Sequence, residues 1–64
     1  MQHRIMRIEE VCRCTALARA TIYKYIDQNL FPKSISLGGR AVGWLESEVQ
    51  DWIQSRIDER EAIT

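Results

Sequence analysis

The side chains best equipped for chemistry crowd into T-A-L-A-R-A-T-I-Y-K at residues 15–24. Arg19 offers a guanidinium, which can donate two parallel bonds to a phosphate or to O6 and N7 of a guanine. Thr21 adds a hydroxyl for a phosphate and a methyl for a thymine. Tyr23 beside Lys24 pairs a phenol with an ammonium, a combination suited to phosphate hydrogen bonds or groove packing. Ala20 shares their helix face without a donor of its own. Lys33 and Arg40 supply further cations downstream, and Arg40, at a Gly-Gly-Arg turn, is placed to enter a minor groove, where a narrow channel concentrates negative potential. This is the chemistry of polyanion recognition, with double-stranded DNA as the expected partner. Each residue also has a plainer reading. Thr21 could bond locally at the helix start, Tyr23 could lie over the neighbouring hairpin, and Arg40 could pair with an acid of the last helix.

Other chemistries find little support. Cys12, Cys14 and His3 do not complete a tetrahedral metal site, and two cysteines two apart on a helix point in different directions, so no disulfide is expected. Cys12 is expected to pack inward and Cys14 to be incidental. No nucleophile has a base and an orienting group near it, and Gly38-Gly39 lacks the context of a phosphate-cradling loop. The expectation is a non-enzyme with no catalytic residues, no metal and no cofactor.

Those donors need a scaffold, and 64 residues permit one small domain with a thin core. An apolar fraction of 45% with 28% charged residues reads as globular. Phe31, Trp44 and Trp52 are the large side chains on which such a core must rest. Formal net charge is zero, yet it is unevenly spread. Residues 1–40 hold seven cations against three acids, a net of +4, and residues 41–64 hold two against six, a net of −4. A local basic patch, more than the total, governs attraction to phosphates. No apolar run is long enough for a membrane span and no leader peptide is evident, so a cytoplasmic, nucleoid-associated protein is expected.

Hydrophobic spacing orders the elements. R-I-M-R at 4–7 alternates as a short strand. Ile8 to Thr15 carries Ile8, Val11 and Cys12 at helical spacing, with Glu9 and Glu10 favouring its start. Ala16-Leu17-Ala18 is the turn, with Leu17 plugging the gap between helices. The next helix, 19–28, turns Ala18, Ile22, Tyr25 and Ile26 inward and Ala20, Tyr23, Lys24 and Asp27 outward, with Thr21 at a flank. Asp27 on that outer face would lift the helix's far end away from a duplex. Pro32 holds Phe31 extended. Two alternating runs within 34–45, joined at Gly38-Gly39-Arg40, read as a β-hairpin with Ile35 and Leu37 on one face and Val42 and Trp44 on one face. A last helix spans about Glu46 to Arg60, or is capped instead by Ser47 with Gln50 three residues on, with Leu45, Val49, Trp52, Ile53 and Ile57 as its apolar stripe and Glu61 to Thr64 fraying. Helix, turn, helix, hairpin and helix make a mainly α fold with a small β-hairpin, a compact winged helix-turn-helix over 1–64 with an ordered core at about 4–60.

The chain resembles the AlpA family of phage and prophage regulators, relatives of MerR-type and excisionase-type winged helix-turn-helix domains. The resemblance covers roughly Arg4 to Arg60. It is carried by R-I-E-E-V at 7–11, T-x-L-x-R-x-T-I-Y-K at 15–24, F-P-K at 31–33 and, most specifically, L-G-G-R-A-V-G-W-L-E-S-E-V-Q-D-W-I at 37–53. It implies a DNA-binding transcriptional regulator, with some relatives acting as excisionases that bend DNA at attachment sites. Departures from the family pattern are informative. Gly is usual where this chain has Ala16, and if positive φ is required there, Ala costs about 1 kcal/mol. Ser is favoured at the positions of Ala18 and Ala20, so a capping oxygen and a hydroxyl are missing, the former a loss of about 0.5–2 kcal/mol. Ser36 stands where many relatives carry Lys.

The expected function is sequence-specific DNA-binding regulation of a phage or prophage element, with helix 19–28 in the major groove and wing 34–45 on the backbone or minor groove. Arg19, Ala20, Thr21, Tyr23, Lys24, Lys33 and Arg40 form the expected contact set. So small a module implies a homo-oligomer or adjacent monomers binding cooperatively. The alternatives are an excisionase that bends DNA alongside an integrase, and a protein-interaction adaptor without DNA binding.

Overall fold

The computed structural model describes residues 2–63. The order is β1 (Ile5–Met6), α1 (Ile8–Thr15), α2 (Arg19–Asp27), β2 (Ile35–Gly38), β3 (Ala41–Leu45) and α3 (Glu46–Ile63). Three helices and a three-stranded antiparallel sheet, with β2 and β3 as a hairpin wing, match the expected compact winged helix-turn-helix.

Helix α1 begins with Glu9 and Glu10 in its first turn, where the helix dipole favours anions, and buries Ile8 and Val11 one turn apart. It stops at Ala16, whose φ of 61° places it in the left-handed region. The Thr15 hydroxyl donates to the Val11 carbonyl at 2.8 Å and accepts the Leu17 amide at 3.3 Å, pinning the turn from its N-terminal side. Leu17 packs against the core as expected. Helix α2 starts after Ala18, which is extended and supplies no side-chain cap.

The end of α2 is a Schellman motif. The Leu30 amide donates to the Tyr25 carbonyl at 2.8 Å and the Asn29 amide to the Ile26 carbonyl at 3.0 Å. Asn29 has φ 59°, and Asn tolerates this left-handed position better than most residues. Helix 19–28 thus ends one residue early, with Gln28 as its cap.

In the sheet, β3 is central, between β1 and β2. Ile5 faces Leu45 and Met6 faces Trp44, while Ile35 faces Gly43. Gly43 has no alternative here: a β-carbon would run into the Ile5 side chain and sit 3.1 Å from the Met6 carbonyl. The hairpin turns on Gly38 (φ 107°) and Gly39 (φ 55°), conformations that side chains rarely adopt.

Met6, Ile8, Val11, Ile22, Phe31, Trp44 and Val49 form the buried core, and Cys12, Leu17, Tyr25, Ile26, Val42, Trp52 and Ile53 pack around it. Two indoles tie the long connection after α2 to the body. Trp44 Nε1 donates to the Pro32 carbonyl at 3.0 Å, and Trp52 Nε1 donates to the Leu30 carbonyl at 2.7 Å. Phe31 lies edge-to-face on Trp52, ring centroids 4.9 Å apart.

Several expectations change. Ala18 is exposed at the start of α2, outside the core it was expected to join. Leu37 is 44% exposed although Ile35, on the same face, is half-buried. Ile57 is 39% exposed, since the core ends at Ile53. Helix α3 starts at Glu46 and continues through Ile63, so Glu61 and Ala62 extend it where fraying was expected. Thr64 lies outside the described residues.

Candidate nucleic-acid interface

The outer face of α2 is built by subtraction. Ile22 points fully into the core and Tyr25 and Ile26 are half-buried, so the 3.6-residue repeat turns Arg19, Ala20, Tyr23, Lys24 and Asp27 outward. Thr21 is half-buried at the flank, and its hydroxyl makes no hydrogen bond among the described residues, so the local bond considered for it is not formed. Lys33 and Arg40 are exposed at the base and the turn of the wing.

Tyr23 combines both orientations considered for it. It is 36% exposed, yet its ring meets Trp44 of β3 edge-on, centroids 6.1 Å apart at 64°. The outer face of α2 is thereby joined to the inner strand of the wing. The spacing within 15–24 could not show this, because the contact closes across 21 residues of sequence.

Ion pairing separates the cations into two groups. Arg4 bridges Glu10 at 3.1 Å and Glu46 at 3.2 Å, holding the first turns of α1 and α3 to the N-terminal strand. Arg56 pairs with Glu59 at 3.0 Å and Arg60 with Glu61 at 2.6 Å. Among the described residues, Arg7, Arg13, Arg19, Lys24, Lys33 and Arg40 have no acidic partner. All of these belong to the basic N-terminal portion, and all are exposed. Arg40 in particular does not pair with α3, the plainer role considered for it. Exposed pairs such as those of α3 contribute little to stability but locally neutralise their cations. The N–H groups of the first turn of α2 have no side-chain acceptor, because Ala18 carries no oxygen.

No group of three metal-ligating side chains occurs among the described residues, and no described helix is long and apolar enough to cross a membrane. Cys12 is half-buried against the core and Cys14 is exposed, both as free thiols. A surface groove of about 390 Å³ is lined by Leu17, Tyr25, Leu30, Trp52 and Arg56. It includes none of the expected contact residues and offers no carboxylate, imidazole or thiol.

Comparison with known proteins places the sequence in a family. Residues 4–57 match the family described as Prophage CP4-57 regulatory protein (AlpA). The chain is 46% identical over 56 residues to "Uncharacterized protein ORF88" of Enterobacteria phage P4, covering 88% of this chain and 64% of that protein. It is 39% identical over 59 residues to "DNA-binding transcriptional activator AlpA" of Escherichia coli (strain K12), covering 83% of this chain and 84% of that protein. The chain therefore spans somewhat less than two thirds of the phage P4 protein and most of the Escherichia coli one. No solved structure matches it. With the family profile spanning β1 to the third turn of α3, the chain belongs to the AlpA family of prophage regulatory proteins, a family of regulators and not of enzymes.

Proposed function

We propose that this chain is a DNA-binding transcriptional regulator of a phage or prophage element, a single winged helix-turn-helix domain acting in the cytoplasm on the nucleoid. One observation carries the reading: among the described residues, the arginines and lysines without acidic partners, Arg7, Arg13, Arg19, Lys24, Lys33 and Arg40, all precede β3, while α3 pairs its own. The name of the Escherichia coli relative, a DNA-binding transcriptional activator, supports it.

In this reading α2 enters the major groove. Arg19 donates to a guanine edge or a phosphate, Thr21 and Tyr23 give hydroxyls to the backbone, Lys24 neutralises a phosphate, and Ala20 allows close approach. Lys33 and Arg40 hold the wing on the backbone or in the adjacent minor groove. Asp27, exposed at the far end of α2, turns that end away from the duplex. One module of this size covers roughly 600–1,000 Å², so neighbouring copies on repeated sites supply the remaining affinity.

Salt titration on DNA flanking the protein's own gene tests the reading. Binding through about 3–5 phosphates per protomer gives a log–log slope of about −3 to −5. A flat slope with no retarded fragment would replace the reading with that of a protein-interaction adaptor, to which the zero net charge and the acidic α3 would then point.

A further inference from the structure

We propose that Trp44 is the positioning residue that fixes the outer face of α2 against the wing, and that it acts through Tyr23. The inference rests on the reading that α2 and the wing contact DNA together.

Trp44 is fully buried on the central strand, opposite Met6 of β1. Its indole N–H donates to the Pro32 carbonyl, in the connection between α2 and β2. Its ring packs in a T-shaped arrangement with that of Tyr23, on the outer face of α2. One side chain thus touches the reading helix, the segment leading into the wing and the sheet behind both.

Tyr23 is the only member of the expected contact set with a ring contact to the body, and this makes it the lever. It lies four residues after Arg19 and three after Ala20, on the same helical ridge. Rotation of α2 about its axis would carry Tyr23 off Trp44 and would carry Arg19 and Lys24 with it. Ile22, about 100° around the helix from Tyr23 and fully buried, sets how deep α2 sits. The Tyr23–Trp44 edge contact sets how it is turned. The Tyr23 hydroxyl has no partner among the described residues, so the ring is held by packing alone while its oxygen stays available. Two readers at different heights, a helix and a wing, can match one duplex only when their relative orientation is held.

The test uses the full chain with its footprinted operator and a random duplex of equal length. Tyr23→Phe keeps the ring edge on Trp44 and removes only the hydroxyl, whereas Tyr23→Leu removes both. Affinities are compared at a temperature where circular dichroism shows each variant folded. The operator-to-random ratio is expected to fall about three- to tenfold further in Tyr23→Leu than in Tyr23→Phe, the range an aromatic pair is worth, with the salt slope unchanged. Trp44→Phe should lower the ratio in the parent chain and have little further effect once Tyr23 is Leu. Equal ratios for Tyr23→Phe and Tyr23→Leu, or an undiminished Trp44→Phe effect in the Tyr23→Leu background, overturn the proposal. If Trp44→Phe does not fold, the two Tyr23 variants decide the matter alone. A parent chain that does not prefer the operator overturns the underlying DNA reading and the proposal with it, before any variant is made.

Discussion

Trp52 and Leu30 join the last helix to the end of α2 by a single bond, the indole N–H donating to the Leu30 carbonyl at 2.7 Å. Leu30 is the residue whose amide closes the Schellman motif, so the bond braces the exit of α2 from outside. Trp52→Phe keeps an aromatic ring near Phe31 but removes the donor. The expected loss is about 1 kcal/mol, read as a lower urea midpoint with an unchanged slope.

Ala16 gives the opposite sign. Its φ of 61° is strained for a residue with a β-carbon and ordinary for glycine. Ala16→Gly should stabilise the fold by about 1 kcal/mol, net of the greater freedom of glycine in the unfolded chain. The thermal midpoint should rise by several degrees, at about 4–8 °C per kcal/mol for a domain this small.

Gly43 has no room to grow. With the Ile5 side chain and the Met6 carbonyl where a β-carbon would go, Gly43→Ala must push β1 away from β3. A destabilisation of about 1–3 kcal/mol is expected by chemical denaturation. Amide exchange should accelerate first at Met6 and Trp44, the pair whose amides face each other across β1 and β3.

Arg19 and Lys24 separate reading from attraction. Arg19→Ala should cost about 1–3 kcal/mol on the operator and much less on random duplex, as for a base contact. Lys24→Ala should weaken both alike and reduce the salt slope by about 1. Arg56→Ala, which removes a cation already paired with Glu59, is the control and should leave both affinities unchanged.

Most of the scaffold was legible because it depends on local rules. Ile8 and Val11, then Ile22, mark helix faces by spacing alone, and Gly38-Gly39 announces a turn that only positive φ can make. The consequence of Ala at position 16 was legible from the family pattern, and the structure supplies the left-handed φ. Contacts that close over long stretches of sequence were not legible. Gly43 is required only because the register sets Ile5 and Met6 beside it, and Tyr23 meets Trp44 only once the hairpin folds back. Periodicity identified the core-facing stripe of α3 but not where the core ends, so Ile57 was placed inside and lies outside. In the site, the outer face of α2 followed from its inner one. The pairing of Arg4, Arg56 and Arg60, which distinguishes occupied cations from available ones, needed coordinates.

Helix α3 outruns the body it serves. After Ile53 every side chain through Ala62 faces water, so secondary structure continues for more than two turns past the last packed residue. That portion is sustained by its own backbone ladder and the short-range charges of Arg56, Glu59 and Arg60. Opening it would expose none of the buried core, so its amides are expected to exchange ahead of those around Val49. Substitutions there are accordingly expected to leave the stability of the interior nearly unchanged.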